Sequence, residues 1–153
     1  TGFFFAQAAA RDLWRGSENT VDIAAQTVVK GAAGLIFFTT IFPVADKIPA
    51  LLFLGSVLTG ALLVHLAILI FSTLAHRTGP AALERAVALL VDGPLKNEFW
   101  GGAIAMGCAV PVILIWWRGV GGMGALTAAI LAVAGAYYWD RVWVKAGQAV
   151  PLS

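Results

Sequence analysis

Apolar positions in this chain fall into long runs separated by short polar stretches. Residues 21–44 (VDIAAQTVVKGAAGLIFFTTIFPV), 50–75, 99–117 and 123–143 each approach or exceed the roughly 20 apolar residues that cross a bilayer as a helix. Between the second and third runs, residues 81–91 follow a different pattern. Leu83, Val87, Leu90 and Val91 share one helical face and Glu84 and Arg85 the other, which predicts an amphipathic helix, too short to span, lying along the membrane surface. The predicted fold is therefore all-α integral membrane, with four transmembrane helices as one bundle plus a short interfacial amphipathic helix. Residues 2–10 are apolar but too short to span, and read as the tail of a preceding helix; Arg11 to Thr20 is a polar connection carrying Trp14. On this reading the chain is the later, C-terminal half of a longer subunit.

The punctuation between runs sets the topology. Pro43, Asp46, Lys47 and Pro49 make a short turn, so the first two spans are expected to be antiparallel neighbours. Pro111 is expected to kink or loosen the third span. That span is bracketed by Phe99 and Trp100 at one end and Trp116 and Trp117 at the other, as interfacial aromatic belts are. Gly119, Gly121, Gly122 and Gly124 form the last turn. The final span presents Ala125, Ala128, Ala132 and Gly135, with Ala129 and Ala136 beside them, as a face small enough for close helix contact. Tyr137, Tyr138, Trp139 and Trp143 are expected to anchor its end at the interface, beside Asp140, Arg141 and Lys145.

Composition agrees with a membrane chain: hydrophobic residues make up 60%, charged residues 12%, and the mean hydropathy is +0.87. A net charge of +2 is too small to point to nucleic acid. Basic residues instead orient the spans. Arg11, Arg15, Arg77, Arg85, Lys96, Arg141 and Lys145 fall on one side, Lys47 and Arg118 on the other, so the long polar loop and the C-terminus are expected in the cytoplasm. Cys108 is the single cysteine, which leaves no intrachain disulfide and no cysteine-based zinc or iron–sulfur site; no metal is expected here.

Three polar residues in the first span change this picture. Asp22, Gln26 and Lys30 are spaced four apart and line one helical face. Lys30 lies nine residues past the polar edge, roughly 13 Å deep at about 1.5 Å per residue. An ammonium at such a depth costs about 2.5–3.5 kcal/mol on insertion scales, so it is expected to face protein, water or a partner. His65, the one ionisable residue of the second span, lies ten residues before Ala75, roughly 15 Å from the same edge. The matching depths bring Lys30 and His65 within expected reach of each other. Lys30, His65 and Gln26 are thus the candidates for a quinone or proton-path role; His65 packing against a backbone carbonyl or hydroxyl is the structural alternative.

Three segments, taken in order, carry a resemblance: Arg11-Asp12-Leu13-Trp14, Glu98-Phe99-Trp100-Gly101 opening a span, and the terminus Lys145-Ala146-Gly147-Gln148-Ala149-Val150-Pro151-Leu152-Ser153. Together they make the chain similar to the later half of the NrfD or polysulfide-reductase-C type of membrane anchor. The resemblance implies an anchor subunit in the bacterial or archaeal cytoplasmic membrane, partnered by the N-terminal half of the same subunit. A ferredoxin-like iron–sulfur subunit and a molybdopterin catalytic subunit are the other implied partners. It also implies electron exchange with a membrane quinone such as menaquinone, held mainly by the earlier bundle, and no haem; only two His residues are available. The chain departs from the pattern at Ile70, Phe71 and Ser72, where the resemblance implies an acidic residue. Two other readings stand beside it: a proton-conducting bundle lined by Lys30, Gln26, His65 and Thr59, and a purely structural bundle.

Overall fold

A computed structural model describes residues 17–76, 81–119 and 123–149. The expected helix tail at 1–10, most of the connection that follows it, the loop at 77–80, the glycines at 121 and 122 and the last four residues lie outside the described residues. Five helices account for nearly everything described: α1 (Ser17–Ile41), α2 (Lys47–His76), α3 (Ala81–Val91), α4 (Glu98–Arg118) and α5 (Met123–Ala149).

Among the described residues, three helices are long and apolar enough to cross a membrane: Thr20–Ile41, Lys47–Ala75 and Glu98–Arg118. The fourth expected span, within α5, is a helix of 27 residues but is not among them. Its second half carries Tyr137, Tyr138, Trp139, Asp140, Arg141 and Lys145, which lower its apolarity. Yet α5 is the organising element, packing against all four other helices. The small-residue face makes this possible: Ala125, Ala128, Ala129, Ala132, Gly135 and Ala136 are all buried. At Gly135 the backbones of α4 and α5 touch, for a Cβ there would collide with Gly107 Cα. Small residues at such crossings gain van der Waals contact, the main force between helices when the surroundings are as apolar as the side chains.

α1 and α2 are packed neighbours joined by residues 42–46, in which Asp46 takes a left-handed φ of 54°. Pro49 falls in the first turn of α2, where its missing N–H costs nothing. α4 changes pitch along its length, being π-helical over Glu98–Ala109 and α-helical over Val110–Arg118. The Val110 N–H reaches Ala105 O, and the change of pitch falls beside Pro111, which has no N–H to continue the ladder. The expected loosening at Pro111 thus takes the form of a wider helix before it.

Two of the expected belt aromatics, Phe99 and Trp139, are packed inside the bundle, at 1% and 3% exposed. Trp116 and Trp117, by contrast, are exposed. The apolar face of α3 is covered by protein: Val87 and Leu90 pack in one cluster with Leu69, Phe99, Trp139 and Val142, while Glu84 and Arg85 point outward. Its amphipathic pattern is therefore accounted for by packing on α2, α4 and α5.

Outward-facing positions are strongly apolar, among them Phe37, Phe38, Phe53, Leu63, Phe71 and Ile130. A water-soluble chain rarely exposes so much, and a bilayer is the solvent that accepts it. Hydroxyls follow the same logic. Thr27, Thr40, Ser56, Thr59, Ser72, Thr73 and Thr127 each donate to the carbonyl four residues earlier, so no membrane-facing hydroxyl in this set needs water.

Candidate functional site

The core has two apolar clusters, one around Leu69, Val87, Phe99 and Val142, the other around Val29, Ile36, Leu58, Cys108 and Ala129. Where they meet, α1, α2 and α5 place polar side chains inside the bundle. On α2, His65 lies between Leu62 of one cluster and Leu69 of the other. It is 3% exposed. On α1, the four-residue spacing turns both Asp22 and Gln26 inward, each at most 5% exposed.

Asp22 is the hub. Its Oδ1 lies 2.6 Å from His65 Nδ1, its Oδ2 accepts from Trp139 Nε1 at 2.7 Å, and the same oxygen accepts from Gln26 Nε2 at 3.0 Å. Three helices converge on one carboxylate. With Asp22 ionised, the contact assigns the proton of a neutral His65 to Nδ1 and leaves Nε2 as the basic nitrogen. Gln26 faces both ways, because its Oε1 accepts from Lys30 Nζ at 2.8 Å. Lys30 Nζ then donates to Asp140 Oδ2 of α5 at 2.9 Å. The network runs His65, Asp22, Gln26, Lys30, Asp140.

All three sequence-predicted residues, Lys30, His65 and Gln26, lie in this network, but not as expected. The direct meeting of Lys30 with His65 is replaced by two separate pairings: His65 with Asp22, and Lys30 with Asp140. The reason is side-chain direction. Helical side chains lean toward the N-terminus, so the ammonium sits beside Gln26, about one 5.4 Å turn nearer the polar end than the Lys30 backbone. Thr59 keeps its hydroxyl within its own helix, on Gly55 O.

Sequence reasoning missed Trp139 and Asp140 and left Asp22 outside the site. A signal for Trp139 was present: Ala132, Gly135 and Trp139 continue one helical face at three- and four-residue steps, so the face that packs small residues also turns the indole inward. The two carboxylates of the network come from α1 and α5, as Asp22 and Asp140. A second charge cluster ties α4 to α5, where Glu98 contacts Lys145 Nζ and Arg141 Nε, each at 3.1 Å.

An apolar cleft of about 200 Å³ opens between α2, α3 and α4, lined by Ile70, Thr73, Val91, Phe99, Trp100 and Ile104 among others, with no member of the network. Among the described residues, no group of three or more His, Cys, Asp or Glu converges as a metal site. Comparison of the chain with protein-family models, with curated proteins and with solved structures finds no match.

Proposed function

We propose that the chain is a bundle of an integral-membrane anchor subunit in a respiratory oxidoreductase complex. In this reading α5 is a fourth span, the C-terminus is cytoplasmic, and the complex exchanges electrons between an iron–sulfur subunit and the quinone pool. The buried hydrogen-bonded pair of Asp22 and His65 is the observation that carries it. An ionisable pair inside a membrane bundle is costly to keep and marks proton or ligand chemistry by default. The resemblance of three sequence segments to a family of membrane anchors is the other support.

The described residues do not fit a quinone headgroup. His65 is nearly inaccessible, and the cleft beside α3 has an apolar lining suited to a hydrocarbon tail. The headgroup belongs to another segment of the subunit, and this chain's part is to hold a proton. His65 takes it at Nε2, and the Asp22 carboxylate 2.6 Å from Nδ1 stabilises the resulting imidazolium. Trp139 and Gln26 hold the carboxylate in position through its other oxygen. Gln26 limits the path: an amide passes a proton only through its imidic tautomer, so Lys30 and Asp140 are coupled to the inner pair electrostatically rather than as a proton wire.

A second reading has its own observation. Three donors on one carboxylate also make a latch between α1, α2 and α5, which is what a purely structural bundle needs. Asp22→Asn, introduced into the intact complex, separates the two. Reduced quinol-linked turnover and proton uptake with normal assembly are expected. Normal turnover with weakened assembly would leave only the latch.

A further inference from the structure

The outer pair has room that the inner pair lacks. Lys30 and Asp140 leave 43% and 50% of their side-chain surfaces uncovered although Lys30 is ten residues inside the Thr20–Ile41 span. Their hydrogen bonding is also incomplete. The Lys30 ammonium has three donors and uses two, on Gln26 and Asp140. Among the described residues nothing bonds Asp140 Oδ1. Among the described residues the pair therefore presents one open donor and one open acceptor, side by side, next to exposed positions of α1 that are apolar or small.

The helix surface around it is shaped for close approach. At about 100° per residue, Lys30, Gly34, Thr27 and Gly31 fall in that order within about 100° of one another on α1. All four are exposed. A Cβ at Gly31 or Gly34 would meet nothing within 4 Å, so neither glycine is required by packing inside this chain. Glycine in a helix interior is unfavourable without a reason, and close contact with an outside backbone supplies one.

We propose that this face of α1 docks a transmembrane helix from outside the five described here, one that brings small residues opposite Gly31 and Gly34 and an uncharged Asn, Gln, Ser or Thr to the Lys30–Asp140 pair. Charge selects that chemistry. The pair is neutral as a whole, so a charged visitor would leave one charge unpaired in hydrocarbon, whereas an amide or hydroxyl completes both open valences. The proposal rests on the membrane reading of α1 and not on the electron-transfer reading.

The test uses p-benzoylphenylalanine in place of Thr27 in the full polypeptide, irradiated in native membranes, with adducts sequenced by mass spectrometry. The expected product joins residue 27 to a helix outside this bundle that carries an uncharged polar residue within one turn of the adduct. Its yield should fall at least tenfold in a Gly31→Leu, Gly34→Leu variant and persist in Gly60→Leu, an exposed glycine of α2 that also has open space. The same probe at Phe71, which is exposed, serves as the lipid-facing reference. Because both glycines are exposed and a Cβ at either meets nothing within 4 Å, an unchanged thermal transition is expected to accompany the lost adduct. Adducts at residue 27 to lipid or quinone alone, to residue 27 of a second copy, or insensitive to both leucines would each overturn the proposal.

Discussion

Of the acid–base pairs that cross between helices in this bundle, two belong to one polar network, and they differ in almost everything except length. His65 and Asp22 are 2.6 Å apart with 3% and 6% of their side chains exposed; Lys30 and Asp140 are 2.9 Å apart and about half uncovered. Gln26 joins them. The inner carboxylate has three donors and the outer one a single donor, so the first is a closed unit and the second is open to company. Depth along the chain does not predict this. Lys30 lies farther from the end of its helix than Asp22 does, yet its long stem carries the charge outward and back by a turn, while the short Asp22 side chain stays where its backbone puts it.

The largest expected effect comes from breaking the closed unit. Asp22→Ala strands His65 and Trp139 together, and should destabilise the bundle by about 3–5 kcal/mol, the usual range for removing one partner of a buried pair. Thermal unfolding in detergent reads this, and a loss under about 1 kcal/mol would mean the unit is not closed. Trp139→Phe keeps the ring packing but deletes one hydrogen bond to a carboxylate, an expected loss of about 1.5–3 kcal/mol. Gln26→Leu tests the link: it should cost about 1–2 kcal/mol and, because Gln26 shares the Asp22 carboxylate with His65, change the Asp22–His65 coupling in a double-mutant cycle by at least about 0.5 kcal/mol. The smallest effect is expected at the outer pair, where Lys30→Met with Asp140→Asn should shift the stability of the isolated bundle by less than about 1 kcal/mol. A larger shift would place that pair in the same class as the inner one.

Much of the helical layout was legible because membrane spans and amphipathic helices leave periodic signals. The long runs became α1, α2 and α4, and the pattern at Leu83, Val87, Leu90 and Val91 became the buried side of α3. What the sequence could not convey was rotation about each helix axis. Trp139 and Phe99 look by type like interface aromatics; the small-residue face of α5 hints at the inward turn of Trp139, and for Phe99 only the packed helices show it. The same holds for the site. Spacing put Asp22, Gln26 and Lys30 on one face, but pairing partners depend on which way α2 and α5 present His65 and Asp140, and that is decided by packing 43 and 110 residues away in sequence. The widened turns of α4 had only Pro111 as a forewarning.

We propose a division of labour, in which the inner pair handles the proton and the outer pair meets a neighbour. Quinol-linked turnover per assembled complex, compared between His65→Phe and Lys30→Met, tests it most directly. The expected loss is about a hundredfold for His65→Phe, the scale of a lost general acid–base group, with turnover within about threefold of normal for the complexes that Lys30→Met still assembles. Equal losses in the two variants, or a loss confined to Lys30→Met, would contradict it.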